Sequence, residues 1–120
     1  MVVQVSQING LRALELDATG PRLGSERDAT DILSEAFSND ASVIVLPVGR
    51  LDPDFLRLRS GLAGAFIQKL KNYHCRLVIL GDVNAAVAAS TALGDFVYET
   101  NKAGHHLFAA DRAAMLAALS

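Results

Sequence analysis

From the N-terminus the chain alternates apolar and polar positions through Val3 and Val5 towards Ile8, breaks at Asn9-Gly10, and resumes over Leu11-Arg12-Ala13-Leu14-Glu15-Leu16. Asn-Gly between two such runs predicts a β-hairpin, because a type I′ turn needs positive φ at both central residues. Asp17-Ala18-Thr19-Gly20-Pro21 supplies the turn chemistry that ends the second strand. The period then lengthens. Ala29, Ile32, Leu33, Ala36 and Phe37 recur at i, i+3, i+4, i+7 and i+8, the inward face of a helix capped by Ser25 and reaching about Ser38. Glu26 and Asp28 fall in its first turn, where the helix dipole favours negative charge.

Residues 42–47 form an apolar run rich in β-branched side chains, the pattern of a strand buried on both faces. Asp52-Pro53 reads as an N-cap with proline at the first helical position. That short segment gives way near Ser60-Gly61 to a longer helix ending at Asn72 or Tyr73, with Leu62, Phe66, Leu70 and Tyr73 as its stripe and Ala63 and Ile67 widening it. A second buried strand covers residues 76–80 and closes at Gly81-Asp82. A third helix is expected over residues 90–103, with Leu93, Phe96 and Val97 inward, Lys102 in its last turn and Gly104 as its stop. Residues 106–109 are a short last strand, and Asp111 caps a terminal helix with Met115, Leu116 and Leu119 inward. The order is β-β-α-β-α-β-α-β-α. The hairpin must be antiparallel, and the strands separated by helices are expected to be parallel with right-handed crossovers. One α/β domain with a mixed sheet is expected over residues 1–120.

Composition narrows the function classes. Eleven Lys plus Arg against thirteen Asp plus Glu leave a net charge of −2, and only 6% of residues are aromatic, so neither a global positive field nor a set of stacking platforms points to nucleic acid. With 51% hydrophobic residues the chain is no disordered segment, yet its longest apolar runs are too short to span a bilayer. Residues 1–6 lack a basic region followed by a long apolar stretch, and the single Cys75 excludes an internal disulfide framework. A cytoplasmic, bacterial-type protein is expected.

In parallel sheets, ligands meet the C-terminal ends of the strands. That edge is expected to collect Arg50, the segment Arg57-Leu58-Arg59-Ser60-Gly61, and Asp82. Ser60 and Gly61 at a helix N-terminus, with Arg50, Arg57 and Arg59 nearby, form a candidate anion site, since free backbone N–H groups and the dipole both favour negative charge there. No Gly-Lys-Ser/Thr triplet makes it a Walker loop. Asp82, alone at a strand end, is a candidate metal-holding or basic group whose commoner role is a turn cap. His74-Cys75 and His105-His106 are adjacent pairs, and neighbours on a strand point to opposite faces, so no metal site and no cofactor is expected. Asp95, Tyr98, Glu99 and Asn101 lie off the inward face of the third helix and make a candidate protein-contact face, with Glu99 and Lys102 spaced to pair at i, i+3.

The segments from Leu58 to Gly64, from Gln68 to Tyr73, from Leu77 to Asp82 and from Asp95 to Asn101 together resemble domain-of-unknown-function family 4180, a family of small bacterial proteins; the resemblance covers most of residues 51–120. It implies a fold and no activity. More distantly, the element order is similar to that of STAS domains, the sulfate-transporter and anti-sigma-factor-antagonist fold. In phosphorylatable STAS proteins a Ser or Thr before Gly-Leu opens a helix and is phosphorylated to control partner binding, and Ser60-Gly61-Leu62 falls on that position. Those proteins usually carry Asp just upstream, where this chain has Leu58-Arg59.

Two functions emerge as expectations. The first is a non-enzymatic regulatory or protein-interaction module of STAS-like type, with an unidentified protein partner and Ser60 as its phospho-switch. The second is a protein that binds a small anion, nucleotide or lipid at the C-terminal edge of the sheet. Self-association through the hairpin edge or the alanine-rich residues 84–92 is compatible with either.

Overall fold

The computed structural model describes residues 2–119; Met1 and Ser120, the two ends of the expected domain, lie outside the described residues. Strands β1 (Val3–Ile8) and β2 (Leu11–Leu16) pair antiparallel, with Ile8 opposite Leu11. Asn9 and Gly10 between them have φ of 51° and 82°, the positive values that the turn demands. Strands β3 (Val43–Pro47), β4 (Arg76–Leu80) and β5 (Leu107–Ala109) join in parallel, so the sheet reads β1-β2-β3-β4-β5 from edge to edge. The helices are α1 (Glu26–Ser38), α2 (Leu62–Asn72), α3 (Asn84–Ala89), α4 (Thr91–Ala103) and α5 (Arg112–Ala118). This is a mixed α/β fold with the expected hairpin and the expected parallel strands. The 3₁₀ turn at Pro53–Leu56 is the short segment expected after Asp52, whereas α3 and the 3₁₀ turns at Val48–Arg50 and Leu58–Ser60 have no separate signal in the sequence pattern.

Each step along the sheet moves in the same direction, so right-handed crossovers place α1, α2 and α4 on one face. There Leu14, Ile44, Leu46, Leu77 and Ile79 from the strands meet Ile32, Leu33, Phe66 and Leu70, with Phe96 partly buried against them. On the opposite face Ala13, Val43, Val45, Val78 and Leu107 are covered by Met115 and Leu119, from α5 and the residue next to its end. Strand β3 is buried on both faces from Val43 to Leu46, which explains its unbroken apolar run.

The helix boundaries follow their caps. The Ser25 hydroxyl accepts from the Asp28 N–H, and the Asp28 carboxylate accepts in return from the backbone of Gly24 and Ser25. The Ser90 and Asp111 side chains likewise accept from the first turns of α4 and α5, and α4 stops at Gly104 with φ of 79°. Three side chains assigned inward face out instead. Phe37 and Tyr73 are 53% and 52% exposed, at the C-terminal ends of α1 and α2, and their rings meet edge-on at 6.0 Å. Leu116 is 45% exposed, because Met115 and Leu119, one turn apart, already take the sheet and leave Leu116 rotated away.

Polar ties hold the periphery. The Asn9 side-chain amide donates to the carbonyls of Leu116 (2.7 Å) and Leu119 (2.6 Å), fastening the end of α5 to the hairpin turn. At the other end of α5, Arg112 pairs with Glu15 of β2 at 2.6 Å, and this guanidinium, aided by the Ser6 hydroxyl, holds the Glu15 carboxyl below its usual range. Asn101 of α4 reaches the outer edge of β5: its amide oxygen accepts from Phe108 N–H at 2.7 Å and its amide nitrogen donates to Phe108 C=O at 3.2 Å. Asn101→Ala exposes both groups and is expected to lower unfolding free energy by about 1–2 kcal/mol, read by urea denaturation; an unchanged midpoint would contradict the edge role.

Candidate functional site

After β3 the chain leaves the sheet through the three 3₁₀ turns before α2 begins. Asp52 caps the second of them, its carboxylate accepting from Asp54 N–H at 2.9 Å, and Pro53 fixes the following φ. Phe55 points into the core and meets Phe66 edge-on at 5.5 Å. Leu56 and Leu58, on either side of Arg57, are only partly buried: both pack against the same core and leave part of their surface outside it. Across from them stands α3, which has no buried residue of its own and meets α4 through Val87 against Gly94. Between the two walls lies an open groove of about 850 Å³. Pro53, Leu56 and Leu58 make one side, Ala86, Ala89 and Ala92 the other, and Arg57, Arg59 and Ser90 supply the polar rim.

Ser60 sits beside this groove and holds its loop. Its hydroxyl lies 2.6 Å from Asp54 C=O and 2.7 Å from Arg57 C=O, so its one proton is shared between two acceptors, and it accepts from Leu62 N–H at 3.3 Å. Gly61 comes next in the left-handed region, φ 78°, and serves as the N-cap of α2. Arg57 pairs with Asp54 at 3.3 Å on the surface, while Arg59 has no ion pair or side-chain hydrogen bond among the described residues. The structure thus gathers Ser60, Gly61, Arg57 and Arg59 in one loop.

Arg50 is not part of that group. It is 4% exposed and donates from Nε to Pro21 C=O at 2.9 Å and from a terminal nitrogen to Asp17 C=O at 2.8 Å. Its guanidinium lies so close to Gly20 that a Cβ there would come within 2.9 Å of it. It is a staple for the loop between β2 and α1, which accounts for its charge without a ligand. Asp82 takes the turn-cap role, its carboxylate accepting from Asn84 N–H at 2.8 Å. Asp95, Tyr98 and Glu99 sit exposed on α4, and Lys102 stands 5.9 Å from the Tyr98 ring centre; no ion pair joins it to Glu99 among the described residues. Asn101, counted with that face, is committed to the β5 edge.

Sequence reasoning missed the groove itself. Its signals were present: an alanine-rich stretch with no apolar stripe, and two leucines flanking an arginine in a segment too short for a regular helix.

Among the described residues no group of three or more His, Cys, Asp or Glu side chains converges in metal-binding fashion, and no helix is long and apolar enough to cross a membrane. Cys75 is buried, and burial pushes its thiol up to about 11, far from a nucleophile's range. His106 is buried too, its Nδ1 accepting from Leu77 N–H at 3.0 Å while Nε2 has no partner among the described residues. Burial first, then the positive charge of His105, Lys71 and Arg76, lowers its pKa to about 4. Between that value and the ordinary 6.5 the folded state binds fewer protons than the unfolded one, so stability falls as pH drops across this window. An NMR titration is expected to place the imidazole near 4. Wild type is expected to lose up to about 3 kcal/mol more than His106→Asn between pH 6.5 and 4, read by denaturation; equal slopes would refute this.

No curated protein and no solved structure matches the chain. A family match does exist: the family described as Domain of unknown function (DUF4180) spans residues 8–119, from the last residue of β1 to the buried Leu119 that closes the second core. With β2 to β5, both cores and the groove inside that span, the chain belongs to the DUF4180 family.

Proposed function

We propose that this chain is a non-enzymatic regulatory module of STAS-like type, which receives an apolar segment of a protein partner in the groove between residues 53–59 and α3, with phosphorylation of Ser60 as its control. The observation that carries this reading is the groove: apolar on both walls, open along its length, and rimmed by two arginines at the C-terminal edge of the parallel strands. Alanines on one wall let a partner's larger side chains approach closely, and the arginines suit acidic residues at the margin of a bound segment.

In this reading Ser60, next to Arg59 in the groove's loop, acts on that surface. Its hydroxyl proton ties the loop back to Asp54 and Arg57. A phosphoryl group removes this donor and adds about −1.5 to −2 charges. The new oxygens would accept from the first N–H groups of α2 and from Arg57 or Arg59, drawing the arginines away from the rim. A groove ready for an acidic-flanked segment would become one that repels it.

The groove's size also favours a second reading, a small amphipathic anion, because about 850 Å³ lies within the usual range of roughly 300–1,000 Å³ for ligand pockets. Calorimetry against fatty acids and phosphate-bearing metabolites, with Arg59→Ala as the control, separates the two. Heats that depend on Arg59 would favour the ligand.

The main test uses three baits in the native host: wild type, Ser60→Glu and Ala89→Glu, the last placing a carboxylate on the alanine wall. Ala89→Glu is expected to keep the wild-type thermal midpoint, whereas Ser60→Glu, which gives up the hydroxyl's bonds to the Asp54 and Arg57 carbonyls, is expected to unfold at a slightly lower temperature while remaining folded in the binding assay. Wild type is expected to retain a stoichiometric partner, and each variant to bind it at least about tenfold more weakly, a difference of about 1.4 kcal/mol. Equal affinity for all three would rule out the groove and the switch together.

A further inference from the structure

The two edges of the sheet are treated differently. At the β5 edge, both outward backbone groups of Phe108 are occupied by the Asn101 amide. At the β1 edge nothing comparable occurs. The two-residue turn makes Ile8 and Leu11 a hydrogen-bonded pair, and Asp17 N–H donates to Val2 C=O at 3.3 Å at the other end. In an antiparallel ladder that alternation fixes the rest: even-numbered residues of β1 bond to β2, while Val3, Val5 and Gln7 turn their N–H and C=O outward. Those outward groups have no hydrogen-bond partner among the described residues, and only β2 packs extensively along this strand.

The strand also lacks the usual protection of a free edge. Its sequence, VQVSQI, contains no charge, no proline and no glycine, and it is regular over all six residues. From these observations we infer that β1 pairs antiparallel with β1 of a second copy of this chain, about a two-fold axis through Val5, joining two five-stranded sheets into one. In this register Val5 faces Val5 of the second copy and Val3 faces Gln7, so every outward N–H and C=O finds a partner, giving about six hydrogen bonds.

Three features select a second copy over other occupants. Both strands are already ordered by their hairpins, so pairing carries little of the ordering cost that an unstructured peptide would bear. The uncharged edges bring no like-charge repulsion to a symmetric contact. The plug at β5 blocks head-to-tail extension from β1 to β5, so association closes at two copies rather than growing into a fibre. A hollow lined by Val2, Val3, Gln4, Leu16 and Asp17 opens at the N-terminal end of the same edge, where the register brings the hairpin turn of the second copy. This inference is independent of the groove, which lies among the loops and helices beyond β3 and β4.

Sedimentation equilibrium of the full chain from about 1 μM to about 1 mM is expected to show a monomer–dimer equilibrium with no larger species. Gln7→Pro removes an outward N–H that β2 does not use, from an exposed side chain. It is expected to raise the dissociation constant at least tenfold while leaving the thermal midpoint of the monomer close to wild type. Val5→Cys places two thiols opposite each other within disulfide reach, and mild oxidation is expected to yield a cross-linked dimer, whereas Gln4→Cys, opposite Ser6, yields little. A wild type that stays monomeric throughout would overturn the inference, leaving the edge to an extended peptide. A dimer that survives Gln7→Pro and fails to cross-link in the Val5→Cys variant would overturn it as well, because the contact would then lie on another face.

Discussion

The fold hangs on the consecutive order of its strands. Because each crossover steps the same way, α1, α2 and α4 are confined to one face, and the opposite face must be closed by the segment after β5. That segment is a helix of only seven residues. A helix that short is marginal in isolation, so its position depends on tertiary contacts. Met115 and Leu119 supply the burial, and the two polar ties supply the placement: Arg112 to Glu15 at one end, the Asn9 amide to the last carbonyls at the other. The hairpin turn therefore does two jobs. Its positive φ values reverse the chain, and its asparagine satisfies helix-end carbonyls that α5 cannot bond internally.

The same strand order gathers the loops at the exits of β3 and β4. Gly81, leaving β4, passes so close to Val48, leaving β3, that a Cβ there would lie 2.9 Å from the valine side chain. The two exits are thus locked together, while the segments beyond them diverge and leave the groove between them. Arginines divide this edge. Arg50 looks inward to the carbonyls of Pro21 and Asp17, and its own backbone carbonyl accepts from Leu23 N–H, so it belongs to the wall between β2 and α1. A guanidinium buried against these carbonyls keeps its charge but is not presented to a ligand at the edge. Arg57 and Arg59, on the solvent side of a 3₁₀ turn, are.

The elements were legible where one physical signal dominated. Asn9-Gly10 marked the hairpin, the β-branched run of β3 marked burial on both faces, and Ser25 and Asp111 marked helix starts, because each is a local rule that tertiary packing had no reason to override. Phe37, Tyr73 and Leu116 were misplaced for a common reason. Periodicity says which side of a helix a residue lies on, but not whether a neighbour extends far enough to cover it, and all three lie in the last turn or at the end of their helices. Asn101 was read as surface because its partner, the open side of β5, exists only once the sheet is assembled. Arg50 was grouped with Ser60 because sequence gives proximity along the chain and not the direction of a side chain.

The carboxylates near the groove bear on what kind of surface it is. Asp52 caps its own turn, Asp54 pairs with Arg57, and Asp82 accepts from Asn84. Each serves the backbone or side chain a few residues away, and none is directed across the groove at another. The two titratable side chains most altered by burial, Cys75 and His106, lie instead in the interior of the helical layer and at the start of β5, where loss of solvent suppresses their charged forms. What the groove offers is apolar walls with Arg57 and Arg59 at the margin, and the proposed recognition is argued from that surface. Ser60, whose hydroxyl is bonded to the Asp54 and Arg57 carbonyls in the loop that carries Arg57 and Arg59, is therefore the residue through which the proposed regulation would operate.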